Sequence, residues 1–225
     1  MDSGKITLLV ADDHTIVRRG LVSLLSLNPE LEIVGEAADG RAAVELALKH
    51  EPDVVLMDIS MPVLNGLEAT RQIRKLISHV KILILSAFDN DEYVMQVMRS
   101  GANGYVLKNT TADELYTAIR TVHGGRSYFS SSVSRVVFEE YLKNGQSGEG
   151  NLAAKEPQSP LTTREREILQ MIAEGETHAQ VAERLHISVR TVDTHCNNIV
   201  KKLDIHDRSG LVTYAIKNGI VILPR

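Results

Sequence analysis

The first half of the chain alternates short apolar runs with longer stretches in which apolar residues recur every three or four positions. Runs this short predict buried strands of a parallel sheet, and the longer stretches predict amphipathic helices. The strands are predicted at 6–11, 32–37, 54–57, 81–86 and 104–107, and the helices at 15–26, 40–49, 66–77, 90–100 and 112–122. This order predicts an α/β domain with a doubly wound, five-stranded parallel sheet and helices on both faces.

The alternation stops near residue 124. A capping box of Thr111 and Glu114 opens the last helix of the series, and Gly124 and Gly125 end it. One more helix is predicted over 131–143, and the Gly-, Ser-, Gln- and Pro-rich stretch 144–160 favours a linker. The predicted boundaries are a first domain over 1–124, a helix and flexible linker over 125–160, and a second domain over 161–225.

The second domain is predicted to be small and all-helical, with four short helices. Residues typical of helix N-caps mark the four starts, at Thr162, Thr177, Ser188 and Asp207. The piece over 177–203 is typical of a helix, a tight turn and a second helix. The apolar stripe of that second helix consists of Val189, Val192, Cys196, Ile199 and Leu203. Its polar side chains point elsewhere and could reach a duplex.

Composition narrows the class of protein. The 225 residues include one Cys, so no internal disulfide can form, which fits a reducing cytoplasm. No signal peptide is evident, and no apolar run approaches the roughly 20 residues that a membrane-spanning helix needs. The net charge of −4 is uneven, since residues 161–225 carry 9 Lys and Arg against 8 Asp and Glu. We therefore expect a cytoplasmic protein with no membrane partner, whose second domain binds nucleic acid weakly by charge alone.

Charged residues follow three of the predicted strands. Asp12 and Asp13 follow the first strand, Asp58 follows the third, and Lys108 follows the fifth. The carboxyl ends of parallel strands meet in one crevice of an open α/β sheet, so these side chains should lie together. Crowded carboxylates repel one another and need a cation, and hard oxygen ligands suit Mg²⁺. The pattern predicts a small site for a divalent cation and a phosphoryl group.

Two sets of motifs resemble known families. In the first domain they are Asp12 and Asp13, Asp58 with Met61, Pro62 and Gly66, Ser86 with Ala87, and Lys108. In the second they are Leu161, 164–169, Ile187 and Ser188, Thr191 and Val192, His195, Ile199, and Lys202 and Leu203. Together, and over nearly the whole chain, they resemble a two-component response regulator of the NarL/FixJ subfamily. This subfamily joins a flavodoxin-like receiver domain to a LuxR-type helix-turn-helix.

The resemblance assigns roles in the first domain. Asp58 would take a phosphoryl group from the phosphohistidine of a sensor kinase, and Lys108 would pair with the phosphoryl oxygens. Asp13, Asp58 and the carbonyl of Ser60 would bind Mg²⁺ directly, with Asp12 acting mostly through water. Such a protein is a transcription factor rather than an enzyme, although its receiver domain catalyses its own phosphorylation and dephosphorylation.

A switch is also implied by the resemblance. The Ser86 hydroxyl would hydrogen-bond the phosphoryl group, and Tyr105 would then turn from an exposed to a buried position. The alternative is that Tyr105 is simply an aromatic residue packed on a helix. The long linker and the resemblance together suggest the hypothesis that the two domains pack before phosphorylation and cover the DNA-binding surface; the sequence itself leaves open whether the linker holds the domains packed or apart.

The second helix of a helix-turn-helix enters the major groove of DNA. By matching positions, Asp193, Thr194 and Asn197 are candidates for base contacts. The candidates for phosphate contacts are Arg190, Thr191, Lys201, Lys202 and Arg208. Asp193 departs from the Lys often found at its position; an Asp can accept from a cytosine amino group, but it also repels phosphates. The alternative is that Asp193 is a solvated charge favoured by the helix dipole.

Weak binding by one copy favours a homodimer that forms on activation and binds two half-sites of a promoter. The resemblance places the dimer contact on the last helix, through Leu211, Val212 and Ala215; the alternative is that this apolar face only closes the domain core. The remaining partners implied are the sensor histidine kinase, double-stranded promoter DNA and, as a further candidate, RNA polymerase.

Other classes of protein fit less well. A haloacid-dehalogenase-like phosphatase also uses a nucleophilic Asp, but it needs a second Asp where this chain has Ser60. A flavin-binding flavodoxin needs a phosphate-binding loop after the first strand, where this chain has Asp12, Asp13 and His14. A phosphorylation-independent DNA-binding protein would not need the complete acidic set.

Overall fold

The computed structural model describes residues 4–87, 91–130 and 160–221. The helix predicted over 131–143 and the linker up to residue 159 lie outside the described residues. Among the helices that the structure does describe, none has the length and apolar character needed to cross a membrane.

The N-terminal domain is a parallel sheet with strand order β2-β1-β3-β4-β5-β6. The strands are β1 (Ile6–Ala11), β2 (Leu31–Ala37), β3 (Val54–Asp58), β4 (Lys81–Ser86), β5 (Gly104–Leu107) and β6 (Tyr128–Phe129). The helices are α1 (Thr15–Leu25), α2 (Gly40–His50), α3 (Gly66–Leu76), α4 (Asp91–Arg99) and α5 (Ala112–His123). The doubly wound α/β prediction is confirmed, and the capping box of Thr111 and Glu114 opens α5 as predicted.

The prediction of five strands was wrong, because a sixth strand follows α5. In β6, Tyr128 and Phe129 pair in parallel with Gly104 and Tyr105 of β5. Two residues are too few to show an alternating pattern, so periodicity gave no signal for this strand. The sheet therefore continues beyond residue 124, where the first domain was predicted to end.

Both faces of the sheet are covered by helices. Successive side chains of a strand point to opposite faces, so Leu9 packs with α2, α3 and α4, whereas Leu8 packs with α1 and α5. Because the strands are buried on both faces, they consist of continuous apolar runs rather than alternating ones. This arrangement leaves the carboxyl ends of the strands as the edge where polar residues gather.

The C-terminal domain consists of four helices, as predicted. They are α6 (Thr163–Ala173), α7 (His178–Arg184), α8 (Val189–Leu203) and α9 (Arg208–Lys217). Each begins after the predicted cap, and the side chains of Thr162, Thr177, Ser188 and Asp207 all accept a hydrogen bond from the first turn. Their apolar faces form a core separate from the two clusters that pack against the sheet.

The two domains pack against each other through α6. Gln170 of α6 accepts a hydrogen bond from the backbone N–H of Asn65 at 2.8 Å and donates one to the carbonyl of Met61 at 3.0 Å. The Asn65 side chain in turn donates to the carbonyls of Gly219 and Ile220, which follow α9, at 3.1 and 2.6 Å. These contacts hold the β3–α3 loop, residues 59–65, which begins directly after Asp58.

Two ion pairs flank these hydrogen bonds. Arg166 of α6 lies 2.7 Å from Glu68 at the start of α3, and Arg41 of α2 contacts Glu167 of α6. Glu68 and Glu167 are both buried. Each carboxylate also has a partner within its own domain, Arg71 at 3.1 Å for Glu68 and Arg164 at 2.8 Å for Glu167, so the pairs between the domains add a second cation to a buried carboxylate.

Val63, in the middle of the β3–α3 loop, has a strained backbone. Its φ is +68°, a left-handed conformation that is unusual for a β-branched residue and costs of order 1–3 kcal/mol. The Val63 side chain packs against the core of the C-terminal domain. The domain contact thus helps to hold this loop in a conformation that it would otherwise leave.

Candidate functional sites

The predicted acidic cluster forms at the carboxyl ends of β1, β3 and β5. The ammonium nitrogen of Lys108 lies 2.8 Å from Oδ2 of Asp12 and 3.1 Å from Oδ1 of Asp58. Asp12 and Asp58 are almost completely buried. The strand order places β3 between β1 and β4, so the topology reverses beside Asp12 and Asp58, where ligands bind in open α/β sheets.

Asp58 has one occupied and one open carboxylate oxygen. Its Oδ1 accepts the backbone N–H of Ile59 at 2.9 Å and faces Lys108. Its Oδ2 is buried and has no hydrogen-bond partner within the part of the chain that the structure describes. Burial raises the pKa of Asp58 to about 6, against the lowering effect of Lys108, and the neighbouring charge of Asp12 adds to the rise. The open oxygen is available to a cation or an electrophile.

Lys108 stays charged in this setting. Burial acts to lower its pKa, but the hydrogen bond to Asp12 and the charges of Asp58 and Asp12 together raise the pKa above the usual value for lysine. The Lys108 N–H also donates to the carbonyl of Ser86 at 2.7 Å, which ties the ends of β5 and β4 together. A fixed positive charge therefore contacts one oxygen of the Asp58 carboxylate, whose other oxygen is open.

The carboxylates also suit a divalent cation. Asp12, Asp13, His14 and Asp58 each place one ligand atom within 4.8 Å of all the others. Sequence reasoning did not assign His14, whose Nδ1 lies 2.8 Å from Oδ1 of Asp13. Its only signal in the sequence was its position directly after the two aspartates. The oxygen-rich donor set fits Mg²⁺.

Arg18 of α1 supports this end of β1 and was also missed. It donates to the carbonyl of Asp12 at 2.6 Å and lies 3.4 Å from Glu36 of β2. The backbone N–H of His14 donates to Oδ1 of Asp12 at 2.8 Å. These contacts fix the turn that carries Asp12, and no motif in the sequence marks them.

Gly66 has a steric reason to be glycine. A Cβ at this position would lie 1.9 Å from the carbonyl oxygen of Asp58. The Gly66 N–H donates to the carbonyl of Ile59 at 2.9 Å, and the side chain of Asn65 caps α3. The β3–α3 loop therefore folds back closely on the end of β3.

The two predicted switch residues are buried. Ser86 lies at the end of β4, beside the acidic cluster in the sheet, and has no exposed surface. Tyr105 was expected to be exposed before phosphorylation, and this expectation was wrong, because its side chain is completely buried. The unpredicted β6 explains the difference, since its Phe129 pairs with Tyr105 and packs against the same core cluster.

The candidates for base contacts all lie on exposed positions of α8. Asp193, Thr194 and Asn197 are exposed, so the packed receiver and DNA-binding domains do not cover them. The expectation that packing hides the DNA-binding surface was therefore wrong for these side chains, because the contact uses α6 and the residues after α9. The Thr194 hydroxyl donates to the carbonyl of Arg190 at 2.9 Å, which fixes its rotamer.

The phosphate-contact candidates fall into two groups. Arg190 and Lys201 are exposed, and Thr191 pairs with the Ser188 hydroxyl at the start of α8. Lys202 lies 2.7 Å from Glu165, and Arg208 donates to the carbonyl of Ile172 at 3.2 Å. Lys202 and Arg208 thus also connect helices within the domain.

The last helix contributes to the domain core. Ala215 was predicted to make a dimer contact, but it is fully buried, because its side chain faces the cluster formed by α6, α7 and α8. Leu211 packs against the same cluster and is only half-buried. Val212 is half-buried and is not part of the cluster, so it is the predicted residue most available to a second copy.

Comparison with known proteins assigns both domains. A model of the response regulator receiver domain matches residues 8–120, and a model of the LuxR family of bacterial regulatory proteins matches residues 159–215. The transcriptional regulatory protein LiaR of Bacillus subtilis is 42% identical over 216 residues, which cover 96% of this chain and 99% of LiaR.

Solved structures show the same arrangement of domains along the chain. The response regulator ChrA of a heme-sensing two-component system has 31% sequence identity and a TM-score of 0.52, with 97% of this chain and 100% of that chain covered. The RcsB–DNA complex has a TM-score of 0.58 at 24% identity, covering 95% of this chain and 99% of RcsB. At that identity the likeness to RcsB shows the fold alone.

Proposed function

The chain belongs to the response regulators that join a receiver domain to a LuxR-type DNA-binding domain, and from that premise we propose that phosphorylation of Asp58 controls its binding to promoter DNA. The observation that carries the proposal is the carboxylate of Asp58, whose buried Oδ2 has no hydrogen-bond partner among the described residues while its Oδ1 lies 3.1 Å from the ammonium of Lys108. A buried carboxylate oxygen beside a fixed cation is suited to attack phosphorus.

The phosphoryl group comes from a phosphohistidine of a sensor kinase. Oδ2 of Asp58 forms the new O–P bond as the P–N bond breaks, and the freed imidazole takes up a proton from water. Lys108 pairs with the phosphoryl oxygens and offsets their charge. Hydrolysis by water at the same site later removes the group.

Asp13, Asp58 and the carbonyl of Ser60 would hold Mg²⁺, with Asp12 acting through water. The ion would supply positive charge beside the transferring group. Support comes from the four ligand atoms, including one from His14, that lie within 4.8 Å of one another. The raised pKa of Asp58, about 6, reflects the cost of a buried negative charge, which a bound cation would offset.

The kinase binds beside the acidic cluster on α1. Ile16 lies one residue into this helix, directly after the turn that carries Asp12, Asp13 and His14, and its side chain is 88% exposed. A large apolar side chain exposed next to a reaction site is suited to bury itself in a partner. Leu25 at the end of α1 is buried, whereas Thr15 and Ile16 at its start are exposed and accessible to the kinase.

Phosphorylation reaches the DNA-binding domain through the β3–α3 loop. The loop begins at the residue after Asp58, and its Met61 and Asn65 are held by Gln170. A phosphoryl group on Asp58 that draws Ser86 and Lys108 inward changes the path of this loop and weakens its contacts with α6. The contact is largely polar, so water can replace its hydrogen bonds when the domains separate.

Release of the domain permits DNA binding by a dimer. In the packed arrangement the receiver holds the carbonyls of Gly219 and Ile220 at the end of α9, the helix proposed to pair two copies. Once released, two copies pair through α9, with Val212 at the contact, and each inserts α8 into the major groove of one half-site. This raises the number of phosphate contacts that a weakly charged domain can make.

The deciding experiment compares wild type with Asp58→Ala for binding to a pool of genomic DNA fragments, with Mg²⁺ and a small phosphodonor. The donor should tighten binding by wild type alone, and the selected fragments then define the promoter sequence. Equal binding by the two proteins, with or without donor, would show that the receiver does not control DNA binding.

A further inference from the structure

The imidazole of His178 bridges the two helices of the helix-turn-helix. His178 is the first residue of α7, and its Nδ1 lies 2.6 Å from Oδ1 of Asp193 in α8. Its Nε2 lies 3.7 Å from the sulfur of Cys196, one turn further along α8. Both ring nitrogens therefore contact the helix that faces DNA, and they contact the side that carries a base-contact candidate.

The contacts fix where the protons are. A carboxylate only accepts hydrogen bonds, so Nδ1 of His178 carries the proton that it donates to Asp193. Nε2 of His178 faces the thiol of Cys196 at 3.7 Å. Burial, and then the charge of Asp193, raise the pKa of that thiol, which keeps its proton in place. A hydrogen-bond chain therefore runs from Cys196 through His178 to Asp193.

This chain changes what Asp193 can do on the DNA-facing side of α8. With Oδ1 held by His178, the carboxylate has a fixed orientation, and its side chain is still 52% exposed. The remaining oxygen accepts hydrogen bonds, and among the base edges of the major groove an amino group of cytosine or adenine is the donor that it can meet. The alternative, that Asp193 is a solvated charge favoured by the helix dipole, agrees with this exposure but does not account for the contact with His178.

The pair contributes little to the fold. Pairs between exposed side chains typically stabilise a protein by no more than about 1 kcal/mol, whether or not both members are charged, and the His178 side chain is 44% exposed. The effect of the pair is therefore expected in recognition. A freely rotating carboxylate at this position would repel phosphates in many orientations, and the domain has only one more cationic than anionic residue, 9 against 8 over residues 161–225, to offset that repulsion.

We propose that His178 is a specificity-determining positioning residue, which holds the Asp193 carboxylate so that its second oxygen accepts a hydrogen bond from a cytosine amino group in the major groove. Cytosine is favoured over adenine because a lone acceptor suits its single amino group, whereas adenine is read best by an amide that also donates. The proposal rests on the DNA-binding function proposed above and adds that Asp193 of α8 recognises cytosine.

In the test, the full-length protein, activated by Mg²⁺ and a small phosphodonor, selects sequences from a pool of randomised DNA duplexes. The proteins are wild type, Asp193→Ala, His178→Ala, the double variant, and His178→Gln, whose amide can still donate to Asp193. His206→Ala is the matched control, because His206 pairs with Asp204 at 3.2 Å in the turn after α8. Thermal melting confirms that each variant is folded.

Asp193→Ala should lose about tenfold in preference for cytosine at one position of each half-site. His178→Ala should lose part of the same preference at the same position, the double variant should match Asp193→Ala, and His178→Gln should restore the preference. His206→Ala should select the wild-type sequence. If His178 had only a structural role, His178→Ala would weaken DNA binding without changing the base preference at any one position.

The proposal is overturned if Asp193→Ala leaves all base preferences unchanged, or if His178→Ala and Asp193→Ala alter different positions. A preference for adenine at the affected position would also overturn it. If wild type selects no sequence, the proposed DNA-binding function fails. If wild type and all variants select the same sequence, the DNA-binding function holds and only the proposed roles of His178 and Asp193 fail.

Discussion

The side-chain oxygen of Gln170, in the first helix of the DNA-binding domain, accepts the backbone N–H of Asn65 in the receiver domain at 2.8 Å. Asn65 ends the loop that begins after Asp58, and its side chain caps α3. A helix of the DNA-binding domain is thus bonded to the backbone that follows the proposed phosphorylation site, so no long chain of intermediate residues is needed to couple the two.

Reversing one charge of the contact between the domains should separate the two domains without phosphorylation. Arg166→Glu places two carboxylates together at Glu68, a buried side chain, and like charges there favour separation of the domains. Unphosphorylated Arg166→Glu should bind promoter DNA about tenfold more tightly than wild type. Its radius of gyration from small-angle scattering should increase.

Two further variants make this prediction specific. Adding Glu68→Arg to Arg166→Glu exchanges the charges of the pair and should restore part of the packing and of the weak binding, since the new cation would also lie beside Arg71, which pairs with Glu68 at 3.1 Å. Arg184→Glu breaks the pair with Glu176 inside the DNA-binding domain, at 3.2 Å, and should not open the protein. Independent tumbling of the domains in unphosphorylated wild type would contradict the packed resting state.

The ionisation of Asp58 should make the receiver less stable as the pH rises. Burial raises the pKa of Asp58 in the folded protein to about 6, above its ordinary value of 3.8. The stability that this carboxyl contributes is present below pH 4 and is lost as the pH rises through 6. With a chelator present, Asp58→Asn should therefore exceed wild type in unfolding free energy at pH 8, by roughly 3 kcal/mol, and match it near pH 4.

Urea denaturation between pH 4 and 8 measures this difference. Asp204→Asn is the control, because the Asp204 side chain is 94% exposed and stays in water whether or not the chain is folded. A constant difference between Asp58→Asn and wild type across this range would show that Asp58 does not titrate as described.

Ile16 should matter for the kinase and not for the chemistry. Ile16→Asp removes an 88% exposed apolar side chain beside the acidic cluster and should slow phosphoryl transfer from a sensor kinase at least about tenfold. Transfer from a small phosphodonor should be unchanged. Leu27→Asp, at a 79% exposed side chain beyond the other end of α1, should affect neither reaction. Equal slowing with both donors would place Ile16 in the chemistry instead.

Gly66→Ala should disturb the phosphorylation site directly. The new Cβ would lie 1.9 Å from the carbonyl oxygen of Asp58, so the loop must move. The expected cost is about 2 kcal/mol of unfolding free energy, with slower phosphorylation by a small donor. Gly20→Ala, in α1, meets no atom within 4 Å and should stabilise the protein by up to about 1 kcal/mol. Unchanged phosphorylation in Gly66→Ala would show that the loop has room to adapt.

The acidic cluster was predictable because its members follow apolar runs. Parallel strands share one carboxyl edge, so the positions of Asp12, Asp58 and Lys108 along the sequence already imply their meeting in space. The helix starts were predictable for a similarly local reason. A cap such as Thr162 or Ser188 bonds to a backbone N–H within three residues, so its whole structural role is contained in a short segment.

Other features depend on residues far apart in the chain. Tyr105 is covered by a two-residue strand too short to predict, and Ala215 faces inward because three other helices meet there. The burial of these two side chains cannot be predicted from the residues next to them in sequence, since it depends on which strand or helices pack against them.

The sequence by itself determined the first five strands, the helices between them, the four helices of the second domain and the charged residues of the phosphoryl site, because each of these is encoded by local periodicity and by the geometry of a parallel sheet. Only the tertiary structure decided that Gln170 holds Asn65 and that His178 holds Asp193. Both contacts join polar side chains to groups on other helices or loops. Hydrogen bonds of this kind leave no periodic trace in the sequence, so their partners become known only when the packing of the elements is known.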